Sequence, residues 1–300
     1  AMHLNDAFGH QEGLKITYNH HEQACTIAAE GYTRQTGKIA PVCVTGGPGG
    51  TNAITGVFGA YVDSIPMFVV TGQAKRETTV WSTNLPLRQL GDQEVNITSA
   101  VSTMTKYAKM ITDPMSIRKE VEKAWFLMLN GRPGPVWLDI PGDVASTFIE
   151  TDDLEGFDKQ GYIDEHWASF NQDNPVYDEQ YTKDVLAKIK EAKRPVILAG
   201  TAIRHAGQQS EFIKCIDKLG IPVVTAWDAH DIIWDEHPLY CGRPGTVGTR
   251  AGNFIVQNAD LLIVLGCRMN IRMIGYNFGD FGKNAYKIVV DIDDAELNKP

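Results

Sequence analysis

A carboxylate stands where an apolar stretch gives way to an Ala- and Glu-rich one, in Asn19-His20-His21-Glu22-Gln23. Such a group can hold or pass a proton if its surroundings lift its pKa towards neutrality. Alternation and β-propensity in Leu14-Lys15-Ile16-Thr17-Tyr18 predict a strand before it, and the run from Ala24 to Thr36 predicts a helix after it. Glu22 then lies at the carboxyl edge of a sheet, where open α/β folds bind ligands. The ordinary alternative is a solvated glutamate in the first turn of a helix, favoured by the helix dipole. On a strand, His20 and His21 would point to opposite faces, one to the core and one to solvent or a subunit, so they would not share a metal.

A second strand is predicted over Pro41-Val42-Cys43-Val44-Thr45, followed by Gly46-Gly47-Pro48-Gly49-Gly50-Thr51-Asn52 and an apolar helix from Ala53 to about Tyr61. A glycine-rich turn from strand to helix admits close backbone approach and presents N–H groups at a helix start. It lacks the Gly-Lys-Ser/Thr of a nucleotide-phosphate loop and the Gly-x-Gly-x-x-Gly of a dinucleotide site, and such a turn can also be a turn and nothing more. A third strand, Pro66 to Thr71, ends in Gly72-Gln73.

The ordered series His21-Glu22-Gln23, Ala28-Ala29-Glu30-Gly31-Tyr32-Thr33-Arg34, Thr45 to Asn52, Asp63-Ser64-Ile65-Pro66, Thr71-Gly72-Gln73 and Gly131-Arg132-Pro133-Gly134-Pro135-Val136-Trp137-Leu138-Asp139-Ile140-Pro141 resembles the pyrimidine-binding domain of thiamine-diphosphate enzymes. Within that superfamily it is most similar to the acetolactate synthase large subunit. The resemblance implies that Glu22 hydrogen-bonds the cofactor pyrimidine N1′ and so promotes loss of the thiazolium C2 proton. The ylide would attack a small 2-keto acid, with the cofactor as electron sink after decarboxylation and before carboligation. It implies further that Pro48 and Asn52 flank the pyrimidine, that Gln73 belongs to the cofactor site, and that Gln93 is a catalytic residue near the reacting centre. A buried Glu22 with a raised pKa would suit that task.

The net charge of −9 is local. Residues 146–181 hold ten Asp/Glu and one Lys, and the remainder balances at 27 acidic against 27 basic. That segment, with Gly156, Gly161 and Pro175, reads as an acidic linker between a domain at 1–145 and a second at 182–300. No basic stripe suggests nucleic acid, no apolar run nears the roughly 18 residues of a membrane span, and no secretory signal opens the chain. Cys25, Cys43, Cys215, Cys241 and Cys267 lie far apart, without a Cys-x-x-Cys pair, so free thiols in a reducing cytoplasm are expected and no metal site is assigned.

Beyond the linker, helices near 178–192, 208–219 and 252–257 alternate with strands at 195–199, 221–225, 260–265 and 287–293, predicting a second parallel sheet. The fold class is therefore α/β, with two doubly wound parallel-sheet domains. The second resembles the superfamily's Rossmann-like central domain, a six-stranded sheet. In acetolactate synthases that domain holds FAD, which the resemblance would place at Arg132, Gly242, Gly245, Gly248, Gly266, Arg268, Asn270, Arg272, Asp291 and Ile292. Gly200-Thr201-Ala202 stands where those synthases carry three glycines, and a central domain without flavin is the alternative.

Asp92-Gln93-Glu94 replaces Phe-Gln-Glu near the second-substrate pocket, Ile140-Pro141-Gly142-Asp143 replaces Leu-Pro-Lys-Asp, and extra residues separate Gln73 from Gln93. Another 2-keto acid decarboxylase or lyase, or a non-catalytic structural or regulatory paralogue, therefore stays open beside a synthase of branched-chain amino acid biosynthesis. The resemblance also implies Mg2+ bound through a diphosphate domain not found in these residues. The chain would then be a fragment, inactive alone, of a protein of about 550 residues. Truncation is expected at both ends, and the working unit would be a homodimer or homotetramer.

Overall fold

The computed structural model describes residues 1–166 and 178–300. Pro175 and the rest of the acidic segment at 167–177 lie outside the described residues. The chain divides into two compact units, separated between positions 167 and 168.

In the first unit, α1 (Met2–His10) and α2 (Glu22–Thr36) precede β1 (Val42–Val44), α3 (Pro48–Val62) and β2 (Phe68–Gln73). Then come α4 (Ile97–Val101), β3 (Tyr107–Met110), α5 (Ile117–Leu129) and β4 (Val136–Pro141). The strands form one parallel sheet in the order β1-β2-β4-β3. Parallel strands covered on both faces need nearly continuous apolar sequence, which Phe68-Val69-Val70 and Val136-Trp137-Leu138 supply.

The two-residue period of a strand sorts these side chains. Val42, Val44, Val69 and Trp137 pack with Ala29, Ala53 and Val57 in one core cluster. Phe68, Val70, Val136 and Leu138 pack with Ala124 and Met128 in another. Thr71, Gln73 and Asp139 follow the parity of Val69 and Trp137, and β2 and β4 pair Thr71 with Asp139 directly.

Helices α2 and α3 pack closely because Gly56 has no Cβ; one there would overlap the Thr26 side chain. Arg34 locks the far end of the pair, reaching Glu30 at 2.7 Å and Asp63 at 2.6 Å.

The second unit carries β5 (Pro195–Ala199), β6 (Val223–Thr225), β7 (Leu261–Leu265) and β8 (Tyr286–Val290), parallel in the order β6-β5-β7-β8. Helices Glu179–Glu191, Gln209–Leu219 and Arg250–Asn258 alternate with them. Among the described residues this sheet has four strands, not the six the resemblance implied.

Three other expectations change. Residues 14–18 form no strand: Leu14, Ile16 and Tyr18 are exposed, and an extended segment without a hydrogen-bonded neighbour is not a strand. Helix α3 begins at Pro48 rather than Ala53, since proline at the first helical position has a suitable φ and needs no donor. The segment read as an acidic linker is partly helical. A helix spans Lys159–Glu165, and Phe157 and Tyr162 pack on Phe126 of α5 with ring centroids 5.7 and 6.3 Å away.

Candidate active site

Glu22 is the first residue of α2, and His21 caps the helix in extended conformation. Asn52, in the second turn of α3, donates through Nδ2 to Glu22 Oε2 at 2.9 Å and lies 3.2 Å from His21 Nε2. One amide thus joins both residues at the mouth of the α2–α3 pair. Glu22 Oε1 faces Gly49, 3.4 Å from where a Cβ would stand. Glu22 is half-buried, and the Asn52 hydrogen bond, with one from its own backbone N–H, holds its carboxyl below the usual 4.5. The expected upward shift is absent in this chain, because those hydrogen bonds outweigh desolvation.

The Gly46-Gly47 turn has an internal reason for its glycines. A Cβ at Gly46 would overlap the Gly72 carbonyl, and one at Gly47, where φ is +58°, would overlap the Gln93 carbonyl. The glycine turn therefore meets the end of β2 and the Gln93 loop by backbone contact. Gln93 itself has φ of +56° and is exposed, as is Asp92. Pro48 is exposed at the start of α3.

Gln73 ends β2 and is already engaged. Its Nε2 donates to Val95 O at 2.8 Å and to Asp139 Oδ2 at 2.9 Å, and its Oε1 accepts from Ala74 N at 2.9 Å. Asp139 Oδ1 accepts from the Thr71 hydroxyl at 2.6 Å, and Thr71 accepts from Trp137 Nε1 at 2.9 Å. Asp139 is 1% exposed, and burial pushes its carboxyl up to about 6 although both hydrogen bonds oppose this.

The segment between Gln73 and Gln93 folds around Glu94. Its carboxylate accepts from Val80 N at 2.6 Å, Leu90 N at 2.9 Å and Gly91 N at 3.0 Å. Arg76 ties the segment to Asp143 through Nε at 2.6 Å and its backbone N at 2.9 Å.

Residues 1–100 match the family "Thiamine pyrophosphate enzyme, N-terminal TPP binding domain", and residues 182–300 match "Thiamine pyrophosphate enzyme, central domain". The chain belongs to the thiamine pyrophosphate enzymes. It is similar to the acetolactate synthase large subunit of Lactococcus lactis subsp. lactis, at 34% identity over 99% of the chain and 48% of that protein. It is 33% identical to the probable acetolactate synthase large subunit of Methanococcus aeolicus, over 98% of the chain and 46% of the relative. The isozyme 1 large subunit of Escherichia coli is 33% identical, over 98% and 48%. The chain thus spans about half the length of the curated relatives it matches.

The donor set on the first unit suits the pyrimidine half of thiamine diphosphate. Asn52 engages only Oε2 of Glu22, Gly49 packs against the Thr45 side chain and Glu22 Oε1, and both lie at a helix start. Glu22, Pro48 and Asn52 come together at that mouth; Gln93 reaches the glycine turn from the neighbouring loop. Gln73 belongs to the support beneath. Sequence reasoning missed Asp139, although a carboxylate inside the apolar run Val136 to Ile140 is the signal that finds it.

In the second unit the glycines that the resemblance assigns to flavin pack against the chain itself. A Cβ at Gly200 would overlap the Gly266 carbonyl, and one at Gly266 would overlap Ala202, so the ends of β5 and β7 already touch. Gly200 N donates to Leu265 O at 2.9 Å, and Gly266 N to Val290 O at 2.8 Å. Gly242, Gly245 and Gly248 are likewise filled by Thr249, Met273 and Arg243. Arg272 lines a cavity of about 180 Å³ with Gly245, Thr246 and Asn253. That is below the roughly 300 Å³ at which small-molecule sites begin. Arg268 lies past β7, Asp291 Oδ1 accepts from Asp293 N at 3.0 Å, and Arg132 Nε donates to Ser64 Oγ at 2.7 Å in the first unit. Among the described residues no group of three or more His, Cys, Asp or Glu could hold a metal, and no helix is long and apolar enough to cross a membrane.

Proposed function

We propose that the first unit is the pyrimidine side of a thiamine-diphosphate active site in a cytoplasmic enzyme that decarboxylates a small 2-keto acid and joins the product to an acceptor. The observation that carries this reading is the Glu22–Asn52 pair at the mouth of α2 and α3, beside the Gly46–Gly47 turn. When bound, the cofactor supplies a nucleophilic carbon and an electron sink.

This chain's residues prepare the site. Asn52 fixes the Glu22 carboxyl through Oε2, so that Oε1 would be the oxygen to share a hydrogen bond with the pyrimidine N1′. Burial of Glu22 under a bound pyrimidine would oppose the hydrogen bonds that now hold its pKa low and move it towards the range where a carboxyl can share a proton. Pro48 would present an apolar edge, and Gln93, whose left-handed backbone rests against Gly47, would contact substrate.

The same proposal includes Mg2+ and diphosphate binding by residues outside this chain, and a homodimer or larger assembly that completes the site. Flavin forms no part of it, given the closed turns of the second unit. The exposed Asp92 beside Gln93, and the segment folded on Glu94, mark where this chain differs from acetolactate synthases, and a different keto acid is the alternative reading. Product analysis with pyruvate, separating acetolactate from aldehyde and carbon dioxide, distinguishes carboligation from simple decarboxylation. Absence of any 2-keto acid decarboxylation by the full-length protein would defeat the reading.

A further inference from the structure

Beneath the Gln93 loop lies a buried carboxylate that the proposed chemistry does not use. Asp139 sits in the central strand β4, with its two given partners, Thr71 and Gln73, both neutral. Among the described residues no lysine or arginine forms an ion pair with it. An isolated buried charge is costly, and apolar packing of the same volume would hold β2 to β4 more cheaply. A role in geometry accounts for its presence better than one in cohesion.

Gln73 shows what that geometry is. Its amide has two acceptors around Nε2 and one donor at Oε1, so its orientation is fixed by chemistry. One of the two Nε2 bonds goes down to Asp139 and the other up to the Val95 carbonyl, which also accepts from Ile97 N at 2.8 Å. Val95 stands two residues after Gln93, whose carbonyl rests against Gly47. The path runs from Trp137 through Thr71, Asp139 and Gln73 to the base of the loop that meets the glycine turn beside Glu22.

We propose that Asp139 is a positioning residue: its carboxylate orients the Gln73 amide, which holds Val95 and so sets Gln93 against the Gly46–Gly47 turn. The value of this placement to the reaction rests on the function proposed above. Its test involves no cofactor, so either idea can fail without the other.

Backbone and side-chain amide NMR of the whole chain compares wild type with Asp139→Ala, Asp139→Asn and Gln73→Met. The alanine variant loses the acceptor and should shift the amides of Gly47, Gln93 and Val95, leaving Leu262 in the second unit unmoved. The Asp139→Asn variant keeps an oxygen for Gln73, so it should restore much of the wild-type pattern at Gln93. Gln73→Met leaves the buried carboxylate in place and should reproduce the alanine shifts, which keeps the test open if Asp139→Ala does not fold. Shifts confined to Thr71 and the Trp137 indole, with Gly47 and Gln93 unmoved in either variant, would overturn the assignment and leave Asp139 as packing alone.

Discussion

Asn52 and Glu22, thirty positions apart, are joined by a 2.9 Å hydrogen bond from the second turn of α3 to the first residue of α2. The bond exists because Gly56 lets α2 and α3 approach and because Pro48 starts α3 early enough to put Asn52 level with Glu22. Replacing Asn52 with Leu removes the strongest influence holding the Glu22 carboxyl down, so its pKa should rise towards 4.5. The sign for stability follows. A depressed folded pKa contributes above the unfolded value and is lost as pH falls, so this variant should lose less stability on acidification. Carbon-13 detection of the Glu22 carboxyl through a pH titration reads the shift; an unchanged midpoint would show that Asn52 does not set it.

Asp139 titrates in the opposite sense. Its folded pKa is raised to about 6 from 3.8, so the folded state holds its proton more tightly than the unfolded chain does. The associated stability is complete below the unfolded value and is lost as pH rises through about 6. It amounts to about 3 kcal/mol. The difference in unfolding free energy between wild type and Asp139→Asn, from urea titrations at several pH values, should change across that window and be flat above it.

Gly47→Ala should be severe. The backbone there has φ of +58°, and the new Cβ would overlap the Gln93 carbonyl, itself backbone that cannot rotate away. A loss of about 2 kcal/mol or more is expected from strain and displacement together. Gly207→Ala, also at positive φ but with nothing near its Cβ, should cost less, and thermal melts of the two variants check this order.

The flavin question has a direct readout. With β5 and β7 closed on each other at Gly200 and Gly266, the purified full-length protein should lack the visible flavin band. A yellow protein with stoichiometric flavin would show that these turns open.

Much of this was legible in the residues. Pro195 to Ala199 is a strand with the bounds its apolar run predicts, and α2 and Arg250–Asn258 follow their periodicity. Leu14 to Tyr18 misled because alternation says which side chains share a face but not whether another strand lies alongside. Strand β3 went unread since Tyr107-Ala108-Lys109-Met110 is short and half-exposed, and owes its existence to pairing with β4. At the site, Glu22, Pro48 and Asn52 carry recognisable motifs. The support does not: Glu94 and Asp139 acquire their roles only when distant backbone N–H groups and the Gln73 amide converge on them.

In the proposed function Glu22 activates the cofactor through its pyrimidine. The most direct test is exchange of the C2 proton of added thiamine diphosphate, followed by proton NMR in deuterated buffer, with the full-length protein and its Glu22→Gln variant. Rapid exchange is expected in the parent and exchange near the rate of free cofactor in the variant, with cofactor binding retained. Exchange at the parental rate in a variant that still binds the cofactor would contradict it.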